Sequence, residues 1–229
     1  MTRQQLLLDI RPEQAPSLDN FVVGDNAELI AHLNALSDGN TFDQIYLWGP
    51  PGSGRSHLLR GVLARAAARA RPVLWVDAAM LGDVLAPAPG SLLIVDDVER
   101  LSDTAQITLF RTFNAARLAG LALLLAGAEP PLRLALREDL RTRIGATLVY
   151  EVKPLSDRDK AAALSQHAQG RGMSVDDALI DYLLHHGRRD LPSLLAVLDL
   201  LDLASLERQR PLTLPLLREV LQDSLELDY

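Results

Sequence analysis

Short apolar runs alternate with longer amphipathic segments along the chain as far as Glu151. Runs of four or five mostly apolar residues, the length of a buried strand, predict strands at 44–48, 73–76, 92–95, 121–125 and 147–151. Apolar residues at helical spacing predict intervening helices at 26–36, 56–70 and 103–119, with Asp25 or Asn26 placed to cap the first. Strands that alternate with helices are typical of a parallel sheet covered on both faces. The pattern therefore predicts an α/β domain.

After Pro154 the pattern becomes helical only. Ser156 is placed to cap the first of four predicted helices, at 157–169, 176–186, 191–208 and 214–224. Before the α/β region, a polar lead that contains proline carries one apolar cluster, Leu6-Leu7-Leu8. We therefore predict a flexible N-terminal tail (1–18), an α/β base (19–153) and a small all-helical lid domain (154–229).

The charge balance disfavours tight, direct binding of DNA. The formal net charge is -7, the only lysines are Lys153 and Lys160, and the arginines are interspersed with acidic residues. Proteins that grip phosphates by neutralising them carry a basic patch instead. No cysteine is present, so disulfides and thiolate metal sites are excluded. No targeting or membrane-spanning run is visible, and we expect a cytoplasmic protein without membrane contact whose partners are proteins and a nucleotide.

A glycine-rich turn between the first strand and the next helix has the spacing of a phosphate-binding P-loop. Residues 49–56, GPPGSGRS, match the pattern G-x-x-x-x-G-K-[ST] with Arg55 in place of lysine. The candidate nucleotide-binding residues are Gly49, Pro50, Gly52, Ser53, Gly54, Arg55 and Ser56. Glycines let the backbone amides converge on an anion at the start of the helix. The alternative is a strand-to-helix turn without a ligand.

Two carboxylates follow the third predicted strand. The run 92–97, LLIVDD, has the form of a Walker B segment, which brings acidic residues to the end of a buried strand beside the P-loop. We predict that Asp96, with the Ser56 hydroxyl, binds Mg²⁺ and that Asp97 orients an attacking water molecule. The alternative for Asp97 is that it merely caps the following segment.

These motifs resemble the DnaA/Hda family of AAA+ proteins over nearly the whole chain. The resemblance is carried by FVVGDN at 21–26, YLWG at 46–49, the P-loop, IVDD at 94–97, EPP at 129–131 and PLSD at 154–157. It implies an AAA+ P-loop base with a parallel sheet followed by the lid, and ADP or ATP with Mg²⁺ as ligand. It also implies that Val23 and His57 belong to the nucleotide site.

Within that family the chain is more similar to the Hda branch, the regulatory inactivators of DnaA, than to DnaA. The sequence ends after the lid, so we expect no DNA-binding helix-turn-helix domain and only indirect contact with DNA. Gln5, Leu6 and Leu8 in the tail resemble the motif that binds the sliding clamp, although Asp9 departs from its usual ending. The alternative is a tail with incidental leucines. The resemblance implies a regulator that, held by the clamp, stimulates ATP hydrolysis by DnaA and so prevents re-initiation.

The resemblance implies an arginine finger at Arg143, which would reach the nucleotide of a neighbouring subunit. Arg141 is the rival candidate two residues away. The alternative for Arg143 is a surface salt bridge with Glu138 or Asp139.

Other positions depart from an active ATPase. Arg55 replaces the P-loop lysine, Ala128 stands where the family places a polar sensor, and Pro192 stands where the lid carries a sensor arginine, for which Arg188 or Arg189 could substitute. We expect a chain that hydrolyses ATP poorly by itself, with nucleotide binding weakened or lost, and that acts as an activator. An autonomous AAA+ ATPase or loader and a nucleotide-independent adaptor remain alternatives, and a homodimer is compatible with either.

Overall fold

A five-stranded parallel sheet forms the centre of the base in the computed structural model, which describes residues 15–39, 41–187 and 190–226. The strands are β1 (Gln44–Trp48), β2 (Val73–Asp77), β3 (Leu92–Asp96), β4 (Ala122–Gly127) and β5 (Leu148–Glu151). Their order in the sheet is β2-β3-β4-β1-β5, and all four pairings are parallel. The predicted α/β class is confirmed.

Helices cover both faces of the sheet. The base contains α1 (Ala27–Ser37), α2 (Arg55–Ala68), α3 (Asp103–Ala119) and α4 (Glu138–Gly145). Leucines of α1 and α2 bury one face of the sheet, and apolar residues of α3 and α4 bury the other. The pattern of apolar residues did not reveal α4, because this helix has only 8 residues and buries only Leu140 and Ile144.

The lid is all helical and has a core of its own. Its helices are α5 (Asp157–Gly170), α6 (Asp177–His186), α7 (Leu191–Arg208) and α8 (Leu214–Glu226). Side chains of Ser156, Asp176 and Asp190 accept hydrogen bonds from the first turns of α5, α6 and α7. In the described part of the chain, no helix combines the length and apolarity that crossing a membrane requires.

Asn26 precedes α1 but does not cap it, contrary to one of the two expectations for this helix. Its buried side chain makes no capping hydrogen bond. Its amide Nδ2 donates to the carbonyl oxygens of Val23 (3.1 Å) and Lys153 (3.0 Å), and its Oδ1 accepts from the Lys153 amide (2.9 Å). A bond to a distant strand end replaces the local cap, so that Asn26 ties the start of α1 to the segment that leads into the lid.

Replacing Asn26 by alanine should lower the free energy of unfolding by about 2–4 kcal/mol, because it leaves the amide and carbonyl of Lys153 without their partner. Urea denaturation measures the change. The exposed neighbour Asp25 provides the control, and Asp25→Ala should leave the midpoint nearly unchanged. Equal midpoints for both variants would show that Asn26 does not stabilise this junction.

Candidate functional site

The P-loop joins the end of β1 to the start of α2, where the backbone conformation depends on glycine. Gly52 has φ 79° and Gly54 has φ 97°, both in the region that other residues rarely adopt. A side chain at Gly54 would also lie 2.8 Å from the Phe21 ring. No side chain caps the N-terminus of α2, so its first amides are open to an anion. The loop therefore has the geometry that phosphate binding requires.

The two residues predicted to hold a metal ion lie in direct contact. The Ser56 hydroxyl donates a hydrogen bond of 2.9 Å to Oδ2 of Asp96. A hydroxyl and a carboxylate are oxygen ligands that suit Mg²⁺. The described residues contain no group of three or more His, Cys, Asp or Glu side chains that could hold a metal ion. A Mg²⁺ at this pair would therefore need further oxygens from a bound nucleotide and from water.

Two buried polar atoms of the P-loop have no hydrogen-bond partner. They are Nη1 of Arg55 and Oγ of Ser53. A buried donor without a partner costs free energy of about 1–3 kcal/mol, and more where the group is charged. Such a cost is recovered when a ligand accepts the hydrogen bond. The residues present therefore fit a phosphate group, with Arg55 in the position that lysine normally occupies.

The second acidic residue of the strand end turns away from the first. Asp97 has φ 50°, its amide donates to Oδ1 of Asp96 (3.0 Å), and its carboxylate lies 3.9 Å from Nη1 of Arg100. Its side chain makes no capping hydrogen bond. Orientation of a water molecule by Asp97 stays a prediction, and the ion pair with Arg100 competes with that role.

A third carboxylate, Glu99, lies at the end of β4, beside Gly127 and Ala128. Its Oε1 accepts a hydrogen bond of 3.0 Å from the amide of Ala128. A side chain at Gly127 would lie 2.8 Å from Oε2 of Glu99 and 2.5 Å from the Tyr46 hydroxyl. Glu99 was not predicted as a site residue, although the acidic residues at 96, 97 and 99 were a visible signal. The Glu99 carboxylate thus places a negative charge beside Ala128, whose own side chain is apolar.

Tyr46 of β1 lies beside this carboxylate. Burial and, after it, the charge of Glu99 raise the pKa of the Tyr46 phenol well above its usual range, and Arg55 opposes the shift. The phenol therefore stays neutral and donates a hydrogen bond of 2.6 Å to the carbonyl of Glu129. A cluster of polar side chains thus lies at the carboxyl edge of the sheet and consists of Tyr46, Glu99 and Arg55.

Residues before α1 lie between the P-loop and the lid. Phe21 contacts Gly54, whereas Gly24 lies against Leu155 and Asp159 of the lid. Val23 is exposed at this junction. The imidazole of His57, which was predicted to contact the nucleotide, is hydrogen-bonded to the segment at 17–20.

The lid reaches the P-loop through the start of α7. A side chain at Gly52 would lie 3.2 Å from Cβ of Asp190, the residue that caps α7. Pro192 occupies the first turn of α7, where its missing amide costs no hydrogen bond. Arg188 and Arg189, the predicted substitutes for a sensor arginine, lie outside the described residues, as do Gln5, Leu6 and Leu8 of the predicted clamp-binding motif.

Arg143 is exposed on α4 and borders an open groove. The groove has a volume of about 620 Å³ and is lined by Phe110, Arg137, Glu138, Asp139, Thr142 and Arg143. Asp139 is paired with Arg137 at 2.9 Å, and the alternative salt bridge from Arg143 to Glu138 or Asp139 is not formed. Within the described part of the chain, the Arg143 guanidinium has no ion-pair partner, whereas the rival Arg141 is half-buried.

Comparison with known proteins assigns the lid. Residues 157–221 match the family model for the lid domain of Hda. This part of the chain is similar to the lid of the Hda family. The predicted resemblance to the DnaA/Hda family is thereby confirmed over the lid.

Solved structures agree with this chain in fold. A replication initiator DnaA bound to AMPPCP and single-stranded DNA is 22% identical, with a TM-score of 0.71 over 86% of this chain and 68% of that chain. Domain III of DnaA from Thermotoga maritima is 16% identical, with a TM-score of 0.72 over 92% of this chain and 97% of that one. A RuvB variant from Thermotoga maritima is also 16% identical, with a TM-score of 0.72 over 92% of this chain and 73% of that chain. The predicted AAA+ base is confirmed.

Proposed function

We propose that the chain binds ADP or ATP with Mg²⁺ at the P-loop and that, held by the sliding clamp, it stimulates ATP hydrolysis by DnaA. Hydrolysis converts the initiator to its ADP form, so the chain acts as a negative regulator of replication initiation. The partners are then DnaA and the clamp, and DNA is contacted only through them.

The observation that carries this proposal is the free guanidinium of Arg143 on an exposed helix. An arginine that is inserted into a neighbouring ATPase stabilises the charge that develops on the transferred phosphoryl group and contributes about 10³–10⁵ in rate. Such an arginine must be exposed and unpaired before the partner arrives. Arg143 meets both conditions among the described residues, and the groove beside it provides space for a partner segment.

Nucleotide binding at the P-loop is supported by the orphaned Nη1 of Arg55 and the paired Ser56 and Asp96. Two DnaA structures of the same fold are described as bound to AMPPCP. When bound, the nucleotide with Mg²⁺ would supply the phosphate and metal charge that these residues are arranged to meet. Gly49, Gly52 and Gly54 allow the close backbone approach, while Arg55 and Ser53 donate hydrogen bonds.

The chain is expected to be a poor ATPase by itself. Asp97 is engaged with Arg100, and arginine is a bulkier phosphate ligand than the usual lysine. Catalysis is therefore placed in the pocket of DnaA, with Arg143 as the contribution of this chain. ATP hydrolysis by DnaA, measured with the chain and the clamp added separately and together, tests the proposal, which requires the rate to rise only when both are present. Turnover by the isolated chain would favour the autonomous ATPase instead.

Replacing Leu6 and Leu8 together by alanine should weaken binding to the sliding clamp by at least about 100-fold, since each buried leucine contributes about 1.5–3 kcal/mol. Surface plasmon resonance on immobilised clamp measures the affinity. Leu7→Ala is the matched control, because this neighbour lies outside the proposed contact positions. Normal retention of the double variant would remove the tail from the mechanism.

A further inference from the structure

Residues 15–21, here called the strap, are folded onto α2 by a dense set of polar contacts. The Ser17 amide donates to Oδ1 of Asn20 (2.9 Å), the Asn20 amide donates to Oγ of Ser17 (3.1 Å), and Nδ2 of Asn20 donates to the Ala15 carbonyl (3.0 Å). These reciprocal bonds close the strap into a rigid turn. The turn precedes Phe21 and includes residues 15–18, which were predicted to belong to the flexible tail; Leu18 is buried instead.

His57 of α2 anchors this turn. Its Nε2 lies 2.9 Å from the Ser17 carbonyl oxygen and 3.0 Å from Oδ1 of Asn20. Both partners accept hydrogen bonds, because the Asn20 oxygen already accepts from the Ser17 amide. Nε2 therefore carries the hydrogen and donates it to the strap. The imidazole is thus committed to the strap at this nitrogen.

Gly61, which has no side chain, provides the second point at which the strap is held against α2. A side chain at Gly61 would lie 2.8 Å from the Leu18 amide nitrogen and 2.9 Å from the Ser17 carbonyl carbon, distances at which backbone must shift. Leu18 is buried in the core between α1, α2 and the sheet. The strap can lie this close to α2 only because position 61 lacks a side chain.

At its far end the strap contacts the P-loop itself. The Phe21 ring lies against Gly54, so closely that a side chain there would come within 2.8 Å, and it packs on the His57 ring with centroids 5.6 Å apart. Gly54 is the residue of the loop with the most extreme positive φ, 97°. Glycine samples many conformations when it is not restrained. Phe21 removes that freedom at the turn where the amides must converge.

We propose that the strap holds the P-loop in its phosphate-binding conformation, with His57 and Gly61 as positioning residues that act through Phe21 on Gly54. The proposal rests on the proposed nucleotide site and extends it. Releasing the strap lowers the fraction of loops that are competent to bind, and the apparent affinity for any diphosphate falls in proportion.

Gly61→Ala is the most direct variant, because the added methyl group displaces the strap and alanine is a better helix former than glycine. Position 61 is six residues beyond Arg55, roughly 9 Å along the helix axis, so the methyl group does not touch a ligand in the loop. Gly170→Ala in α5 is the matched control, since nothing lies within 4 Å of the added atom. His57→Ala breaks the other anchor, and His57→Gln restores a donor at the same end of the side chain.

Calorimetric titration with Mg-ADP and with Mg-pyrophosphate tests the proposal. Both affinities should fall about tenfold in Gly61→Ala and His57→Ala, and should be largely retained in His57→Gln and Gly170→Ala. A loss confined to ADP would overturn the proposal, because the strap would then act on the adenosine part and not on the loop. Unchanged affinity for both ligands in Gly61→Ala and His57→Ala would overturn it as well.

Hydrogen exchange of the ligand-free chain provides a second readout. Amides at 49–56 should exchange faster in Gly61→Ala than in the unmodified chain and in Gly170→Ala, since the loop loses its restraint. Equal exchange would overturn the proposal. If the unmodified chain bound neither ADP nor pyrophosphate, the proposed nucleotide function would fail, and the exchange result would still decide whether the strap restrains the loop.

Discussion

Arg143→Ala should reduce clamp-dependent stimulation of DnaA ATP hydrolysis by about 10³-fold or more, which is the lower end of the contribution of an arginine finger supplied in trans. Nothing within the described part of the chain pairs with this guanidinium, so its removal exposes no buried partner. The variant should therefore fold normally, bind the clamp normally and change stability by less than about 0.5 kcal/mol. Single-turnover hydrolysis of ATP preloaded on DnaA measures the effect.

The control for this prediction is Arg141→Ala on the same helix. Arg141 is half-buried and has the same charge, so it controls for both the positive field of α4 and its packing. The Arg141→Ala variant should stimulate ATP hydrolysis by DnaA to within a few-fold of the rate reached with the unmodified chain. Loss of activity in Arg141→Ala with full activity in Arg143→Ala would assign the finger to the rival residue. Full activity in both, with clamp and DnaA binding intact, would favour the nucleotide-independent adaptor.

Arg55→Met should weaken ADP binding by about 10–100-fold, because hydrogen bonds to charged groups contribute about 1.5–3 kcal/mol. The same variant should leave the ligand-free chain at least as stable as before. Nη1 of Arg55 is buried without a partner, and methionine of similar length removes the unpaired donor while it keeps apolar packing. Calorimetry measures the affinity and thermal unfolding measures the stability.

Arg60→Met on the exposed face of α2 is the matched control for Arg55. It removes one positive charge from the same helix and should change neither ADP affinity nor stability appreciably. A loss of stability in Arg55→Met with unchanged affinity would contradict the assignment, because Arg55 would then be a structural residue. If Arg55 is a ligand-binding residue, its replacement should lower the affinity for ADP and raise the stability of the ligand-free chain.

The arrangement separates two tasks that an autonomous ATPase combines in one pocket. The P-loop region has a phosphate cradle with the Ser56 and Asp96 pair beside it, but the two further carboxylates are engaged in other contacts: Asp97 with Arg100 and Glu99 with the Ala128 amide. The exposed arginine lies on another helix, beside an open groove. Under the proposed function, a bound nucleotide serves this chain as a ligand, while hydrolysis takes place in the partner.

Elements with strong local signals were predicted close to their observed limits. α3 and α7 have the predicted bounds, Asp103–Ala119 and Leu191–Arg208, because a capping side chain precedes each of them. β1 also has its predicted bounds, since the glycine-rich turn ends it abruptly. α4 was missed because it is short and largely polar, and its two buried residues acquire meaning only when α3 and the sheet lie beneath them.

The sequence by itself determined the succession along the chain of the strands and of the helices other than α4, the position of the P-loop and the helical lid, because these depend on local periodicity, glycine and capping residues. Only the tertiary structure decided which distant groups meet. Asn26 bonds to Lys153 and not to its own helix, and Glu99 accepts a hydrogen bond from the Ala128 amide. The strap is anchored at His57 and Gly61 and contacts Gly54 through Phe21. The physical reason is that these contacts join residues far apart in the chain, and their strength depends on burial and close packing, which no local pattern encodes.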